Sequence, residues 1–374
     1  MDVSGIANIG LIIIFLLVLL LPFRFRLVEK NLEVFLFICG IAALTISGFS
    51  VIEGMTTGWS LPVVMEALTA PLLVTTVFGI PVGIVQIVLV VGLIFYIWFI
   101  PIKKAILRAA GCCSVPLFLF LVIVLLGMLS SLISAIIAAL ILVETVCALP
   151  LNRGDKITVT VVACFSIGLG AVLTPFGEPL STITVSRLSG PPYYAGFDFL
   201  FNLLAIYIIP GVIAFGILGV LLYHRSGLSE EPLECDLPRE SLKEVGLRAL
   251  RVYIFIAALI FLGEGLKPLI VTYVVPVPPA GLYWVNMVSA VLDNATLAAA
   301  EINPALSLFQ IKSALMGLVI AGGMLIPGNI PNIIAAGKIG ITSREWLKIG
   351  VPLGLAAMGI YFFLLFIPPL VTAV

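Results

Sequence analysis

The stretch VLDNATLAAAEI, Val291 to Ile302, sets Asp293, Asn294 and Thr296 close together between apolar flanks. They offer a carboxylate and two neutral oxygens, and a turn at this place would add free backbone carbonyls. Hard oxygen ligands of this kind suit an alkali cation, and the carboxylate can alternatively take a proton. Asp293 also has a plainer reading, as the N-cap of the helix that follows, and the two roles are compatible. Asn294-Ala295-Thr296 spells a glycosylation acceptor, which an apolar hairpin makes a chance match.

The surroundings give these residues their weight. The chain has 374 residues, is 62% hydrophobic and 10% charged, with mean hydropathy +1.28 and a single histidine. That composition predicts a multispanning protein whose partner is the lipid bilayer. A formal net charge of zero gives no footprint for nucleic acid. A mid-bilayer Asp costs roughly 2.5–3.5 kcal/mol, so Asp293 is a functional candidate by default. The six cysteines show neither a metal spacing nor an extracellular pairing pattern, which reads as free thiols. No nucleophile elbow, phosphate loop or His-metal cluster is present, so we expect neither an enzyme nor a cofactor.

The elements that must hold the polar cluster follow from apolar run lengths of about 20 residues. Ile6–Phe23, Leu32–Val51, Pro81–Ile102, Phe197–Tyr223, Val252–Val271 and Ile349–Pro368 predict spanning helices, and Leu61–Ile80 a bent or partly inserted segment. The first run is followed by Arg24, Arg26 and Lys30, which argues against a cleavable signal peptide. Treating Val115–Leu149 and Ala280–Leu306 as re-entrant hairpins leaves only Arg187, Lys267 and Lys312 opposite the other basic residues, as the positive-inside rule prefers. Both termini are then extracytoplasmic, and Trp59, Trp98, Trp284 and Trp346 fall near interfaces. Glu144 and Glu301 stand toward the interfaces on the second hairpin arms, where long side chains can snorkel. Glu66 and Glu264 stand alone.

The polar stretch 225–248 predicts a cytoplasmic linker between two halves. GAVLTPFGEPLSTI (Gly170–Ile183) aligns with GGMLIPGNIPNII (Gly322–Ile334), matching Pro175 with Pro327 and Pro179 with Pro331. Upstream, GMLSSLISAIIAALILVE stands where VNMVSAVLDNATLAAAE stands in the second half. The expected fold is an all-α polytopic membrane protein with an inverted repeat, two re-entrant hairpins and two broken helices. Its parts are N-terminal scaffold helices in 1–80, repeat 1 in 81–224, the linker in 225–248 and the inverted repeat 2 in 249–374. Discontinuous helices free N–H and C=O groups at the bilayer midplane, where half-helix ends bind ions or charged substrates.

The polar-tipped hairpin, the paired Pro-x-x-x-Pro breaks and SAVLDNAT resemble the ion transporter superfamily of sodium/proton antiporters, arsenite pumps and sodium-coupled carboxylate carriers. Within it the chain is most similar to a prokaryotic group regarded as cation transporters. The resemblance covers about Pro81 to Pro368. It implies a homodimer in which scaffold helices hold a mobile transport domain with elevator-like movement. Carried onto this sequence, it implies one ion site at Asp293, Asn294 and Thr296 with Gly328, Asn329 and Asn332, where Asp293, Asn294, Thr296 and Asn329 would hold Na⁺. A second would use Ser130, Ser131 and Ser134 with Thr174, Gly177, Glu178, Ser181 and Thr182. The sodium-coupled carboxylate carriers have a Ser-Asn-Thr type triplet at both tips; here the first tip is SSLIS and the second has Asp before its Asn. An acidic tip suits exchange of a cation against protons. Glu178 either shares that work or caps the half-helix after Pro179. The expected function is a cation (Na⁺)/proton antiporter working by alternating access; the alternative is an ion-coupled carrier of small anions, carboxylate or arsenite-type oxyanion.

Overall fold

The computed structural model describes residues 3–372 except 26–27, 29–30, 51–56, 73–74, 78–79, 84, 87–88, 91, 95, 98–100, 102–113, 150, 224–240 and 293. The N-terminal part contributes α1 (Val3–Arg24), α2 (Leu32–Ser47) and α3 (Leu61–Thr69). Ser60 opens α3 by accepting a hydrogen bond from the Val63 amide, with Pro62 in the first turn, where its missing N–H does no harm. The segment expected to be bent thus becomes α3 and a short antiparallel pair, Thr75–Val77 with Ile80–Val82. Apart from that pair, the described elements are helices. In the predicted span Pro81–Ile102 the described residues from 85 on are helical, and Trp98 falls outside the described residues.

A first series follows: α4 (Val115–Ile133), α5 (Ala135–Ala148), α6 (Arg153–Ala171), α7 (Pro179–Arg187) and α8 (Phe199–Leu222). The second half opens with α9 (Leu242–Leu269), which runs into a π turn at Ile270–Val274. Then come α10 (Pro279–Val285), continued as a 3-10 turn at Asn286–Ala290, α11 (Asn294–Glu301), α12 (Leu308–Gly322), α13 (Ile330–Ile339) and α14 (Ser343–Thr372). Capping chemistry sets several starts. Ser241 and Glu244 form a capping box, so α9 begins inside the stretch expected to be linker. Ser307 and Gln310 do the same for α12.

Among the described residues, five helical stretches are long and apolar enough to cross a membrane: Val115–Ile133, Arg153–Ala171, Phe199–Leu222, Leu242–Val274 and Ser343–Ile367. The 19 residues of α4 reach about 28 Å, close to the thickness of a hydrocarbon core. The two expected hairpins therefore differ: the first has an arm of full spanning length, the second is assembled from short pieces.

In each series the long helix before the break is central. α6 packs against α4 and α8, and α12 against α10 and α14, while α5 lies on α13 and α11 on α7. The two broken segments run in opposite directions. Arg153, at the start of α6, donates to Gly340 O just past α13 (2.9 Å) and pairs with Glu345. At the other end the Tyr193 hydroxyl, beyond α7, donates to Leu306 O ahead of α12. α9 belongs by packing with α1–α3 and touches the two series through α7 and α11. It packs so closely on α2 that a Cβ at Gly40 would lie 2.8 Å from Ala258 O.

Two sequence expectations need correction. Trp346 is fully buried and donates to Gly323 O (3.2 Å), so it closes the end of α12 and is not an interfacial anchor. Its indole N–H finds the orphan carbonyl that a helix terminus leaves. The free-thiol reading holds for Cys39 and Cys164, both buried. It fails for Cys147, which is disulfide-bonded.

Candidate functional site

The first break exists because Pro175 cannot continue α6, whereas Pro179 suits the first position of α7. Helix ends leave carbonyls without intrahelical donors. Hydroxyls answer them here: Ser181 Oγ donates to Ala171 O (3.3 Å) and Thr182 Oγ1 to Pro175 O (2.6 Å). The hairpin turn is seated on this break. Thr174 Oγ1 donates to Ser131 O, and the Ala135 amide donates to Gly177 O (2.7 Å). Ser130 Oγ reaches both Gly127 O (2.7 Å) and Ile167 O (3.0 Å), and Ser131 Oγ donates to Met128 O (2.8 Å). The turn residue Ser134 has φ 76° and ψ 150°, backbone that L residues adopt only under strain. Glu178 is buried at the N-cap position of α7, and its side chain makes no capping bond there. The alternative of Glu178 as a helix cap therefore falls.

The second break runs from Gly322 through a 3-10 turn, Ile326–Gly328, to α13. Asn329 caps α13 by accepting from the Ile330 amide through Oδ1 (2.8 Å). Asn332 Nδ2 donates to Gly322 O (2.8 Å) and Leu325 O (2.9 Å), and Ser289 Oγ to Leu318 O (2.9 Å). Carbonyls crowd around Gly328: a Cβ there would lie 2.6 Å from both Gly322 O and Ser289 O and 3.0 Å from Ala290 O. Only glycine fits. Two polar atoms at this junction are buried without a hydrogen-bond partner among the described residues, Asn294 Nδ2 and Asn332 Oδ1. Asn294 Nδ2 would stand 3.5 Å from a Cβ at Gly322, and Ser289 Oγ 3.4 Å, so these groups share one small region.

The structure shifts the expected alignment by one residue. Ala171 and Gly322 end the helices before the breaks, Gly177 and Gly328 turn the chain, and Glu178 and Asn329 hold the N-cap positions. Ser181 and Asn332 then correspond, each reaching back to the last helical carbonyl. Pro179 opens α7, but Pro331 is the second residue of α13. Proline is tolerated through the first turn of a helix, so it marks a break without fixing its register.

Of the residues expected to act together, Asn294, Gly328 and Asn332 do meet, and so do Ser130, Ser131, Thr174, Gly177, Ser181 and Thr182. Asn329 faces elsewhere. Its Oδ1 is engaged as a cap and its Nδ2 lies against Gly168 of α6, 2.7 Å from where a Cβ would stand. Thr296 is buried on α11, and Asp293 lies outside the described residues.

Some polar contacts escaped the sequence. Glu301 does not snorkel: Asn286 Nδ2, on the opposite arm of the second hairpin, donates to its Oε1 (2.7 Å). Glu66 and Glu264 are not isolated, since both interact electrostatically with Arg187. Only the Glu264–Lys267 spacing of three along a helix gave a hint.

These features define a class: a helical protein of membrane type, with two oppositely running helices each broken beside the turn of a neighbouring helix pair. The chain belongs to the DUF1646 family, described as a protein of unknown function, which it matches over residues 8–367. No curated protein matches it.

Proposed function

We propose that the chain is a secondary active transporter, a Na⁺/proton antiporter of the cell membrane working by alternating access between two inverted repeats. The observation that carries this is the second junction. Three backbone carbonyls converge on Gly328 close to Asn332, whose Oδ1 is an acceptor without a hydrogen-bond partner among the described residues, and Asp293 directly precedes the buried Asn294 in sequence. Clustered neutral oxygens with one carboxylate match the needs of a weakly bound alkali cation. Irregular backbone inside an apolar helical body is tolerated where it is buried in protein or lines a cavity. The opposite running of α6–α7 and α12–α13 supports the inverted repeat.

In the anion alternative, half-helix N-termini and the Asn side chains hold the substrate, and an uncompensated positive group near a break would add to it. Arg187, on α7, interacts with Glu264 and Glu66, which favours the cation reading. The functional unit is proposed to be a homodimer with both termini outside.

In proteoliposomes, a Na⁺ gradient should drive proton movement by the wild-type protein. Asp293→Asn keeps size and hydrogen bonding but removes the titratable charge, and should abolish that movement while the protein remains folded. Full pH-dependent exchange by Asp293→Asn and by Glu178→Gln would sink the antiporter reading; uptake of a labelled carboxylate or arsenite by Asp293→Asn would favour the alternative.

A further inference from the structure

Where α7 meets α9, the Arg187 side chain is seated on the α9 backbone, with an ion pair close by on the same helix. Lys267 Nζ stands 3.2 Å from Glu264 Oε2, one turn earlier on α9. Arg187, the last residue of α7, donates through Nη2 to Leu259 O and interacts electrostatically with Glu264 and Glu66. Glu66, on α3, also feels Lys267. The group holds two positive and two negative charges from three elements.

Its fit depends on Gly263. A Cβ there would lie 1.2 Å from Arg187 Nη2, inside the guanidinium, so any larger residue expels the arginine. An arginine among apolar helices is tolerated when carbonyls and carboxylates replace its water, and removing one partner leaves an uncompensated charge.

The location gives this group a task. α7 is nine residues long, and Arg187 is its only charged side chain. Near its other end Ser181 and Thr182 hold the carbonyls of the first break. Phe176, inside that break, packs on a cluster of Leu44, Ala67, Ile256, Ile260 and Phe261 from α2, α3 and α9. Both ends of the short helix are therefore fixed to elements outside its own series, by an apolar contact at one end and a charged one at the other.

We propose that Arg187 is a positioning residue: seated on Leu259 O in the space that Gly263 leaves, with Glu264 and Glu66 balancing its charge, it forms a clamp that fixes α7 along α9 and so sets the geometry of the first break during transport. This rests on the transport reading for its consequence, but the clamp itself has a readout independent of transport. The test uses the full chain carrying Arg187→Gln, Glu264→Gln, the double variant, and Gly263→Ala, which displaces the guanidinium with every charge retained. Arg187→Gln should melt lower than wild type, and the double variant should melt higher than Arg187→Gln because it restores charge balance. In proteoliposomes, Arg187→Gln and Gly263→Ala should both lower the maximal rate at least about tenfold, with the half-saturating Na⁺ concentration changed less than about threefold. The double variant should recover at least about threefold of the lost rate.

No thermal recovery in the double variant would overturn the clamp, as would a wild-type rate in Gly263→Ala. A change confined to half-saturation would instead make Arg187 an ion contact. Should Arg187→Gln not fold, the double variant is compared with Glu264→Gln alone, which leaves a positive charge uncompensated and should melt lower than the double variant. Absence of transport by the wild-type protein would defeat the proposed function and leave the thermal test of the clamp standing.

Discussion

The two junctions are built on one plan and finished differently. At the first, Thr174, Ser181, Thr182, Ser130 and Ser131 each donate to a backbone carbonyl, so the hydroxyls knit the break to the hairpin. At the second, Asn332 Nδ2 donates to Gly322 O and Leu325 O within the break yet Oδ1 has no partner among the described residues, and neither has Asn294 Nδ2. Buried polar groups are normally satisfied, and Asn332 Oδ1 is an acceptor left over among carbonyls, of the kind a cation can use. The difference teaches that similar local folds need not be similar sites. The resemblance implied two ion sites; under the proposed function the second junction binds the ion and the first holds the break together.

Substitution at the paired turn glycines should break both junctions but separate their roles. A Cβ at Gly177 would lie 1.9 Å from Ala171 O, and one at Gly328 2.6 Å from Gly322 O, so backbone must move in both. Each alanine variant should lose about 1–3 kcal/mol of stability, the usual cost of overpacking, read from thermal melts in detergent. Only Gly328→Ala should also lose Na⁺-dependent stabilisation; the same loss in Gly177→Ala would erase the distinction.

A milder contrast comes from the hydroxyls. Ser181→Ala and Thr182→Val each remove one donor to a buried carbonyl, expected to cost about 0.5–1.5 kcal/mol. Their half-saturating Na⁺ concentration should stay near that of wild type, and a tenfold rise would place the first junction among the ion ligands. The smallest effect is expected at Ser134. Its φ of 76° favours glycine, so Ser134→Gly should stabilise the protein by up to about 1 kcal/mol. A lower melting temperature would show that the hydroxyl matters more than the strain.

Much of this plan was legible in the sequence. Hydropathy located α1, α2, α8, α9 and α14, and two prolines per break located both interruptions, because helix disruption by proline is a local, steric effect. The register of the breaks was not legible. It depends on which carbonyl Ser181 or Asn332 reaches and on the crowding at Gly177 and Gly328, which are three-dimensional facts. Trp346 misled for a related reason: an indole suits an interface or a buried carbonyl equally well, and only packing decides. The cluster around Arg187 draws on residues from α3, α7 and α9, and no single-helix pattern unites them.

The most direct test measures Na⁺-dependent thermal stabilisation of purified protein in matched double variants, Asn294→Ala/Asn332→Ala at the second junction and Ser181→Ala/Thr182→Val at the first. Each loses two polar side chains at its own junction. The asparagine pair should abolish stabilisation by Na⁺, or raise its half-saturating concentration about 10- to 100-fold, as loss of bonds to a charged ligand does. The hydroxyl pair should melt lower without Na⁺ and keep the full Na⁺ shift. The reverse pattern, with stabilisation intact in the asparagine variant and lost in the hydroxyl variant, would contradict the assignment of the ion to the second junction.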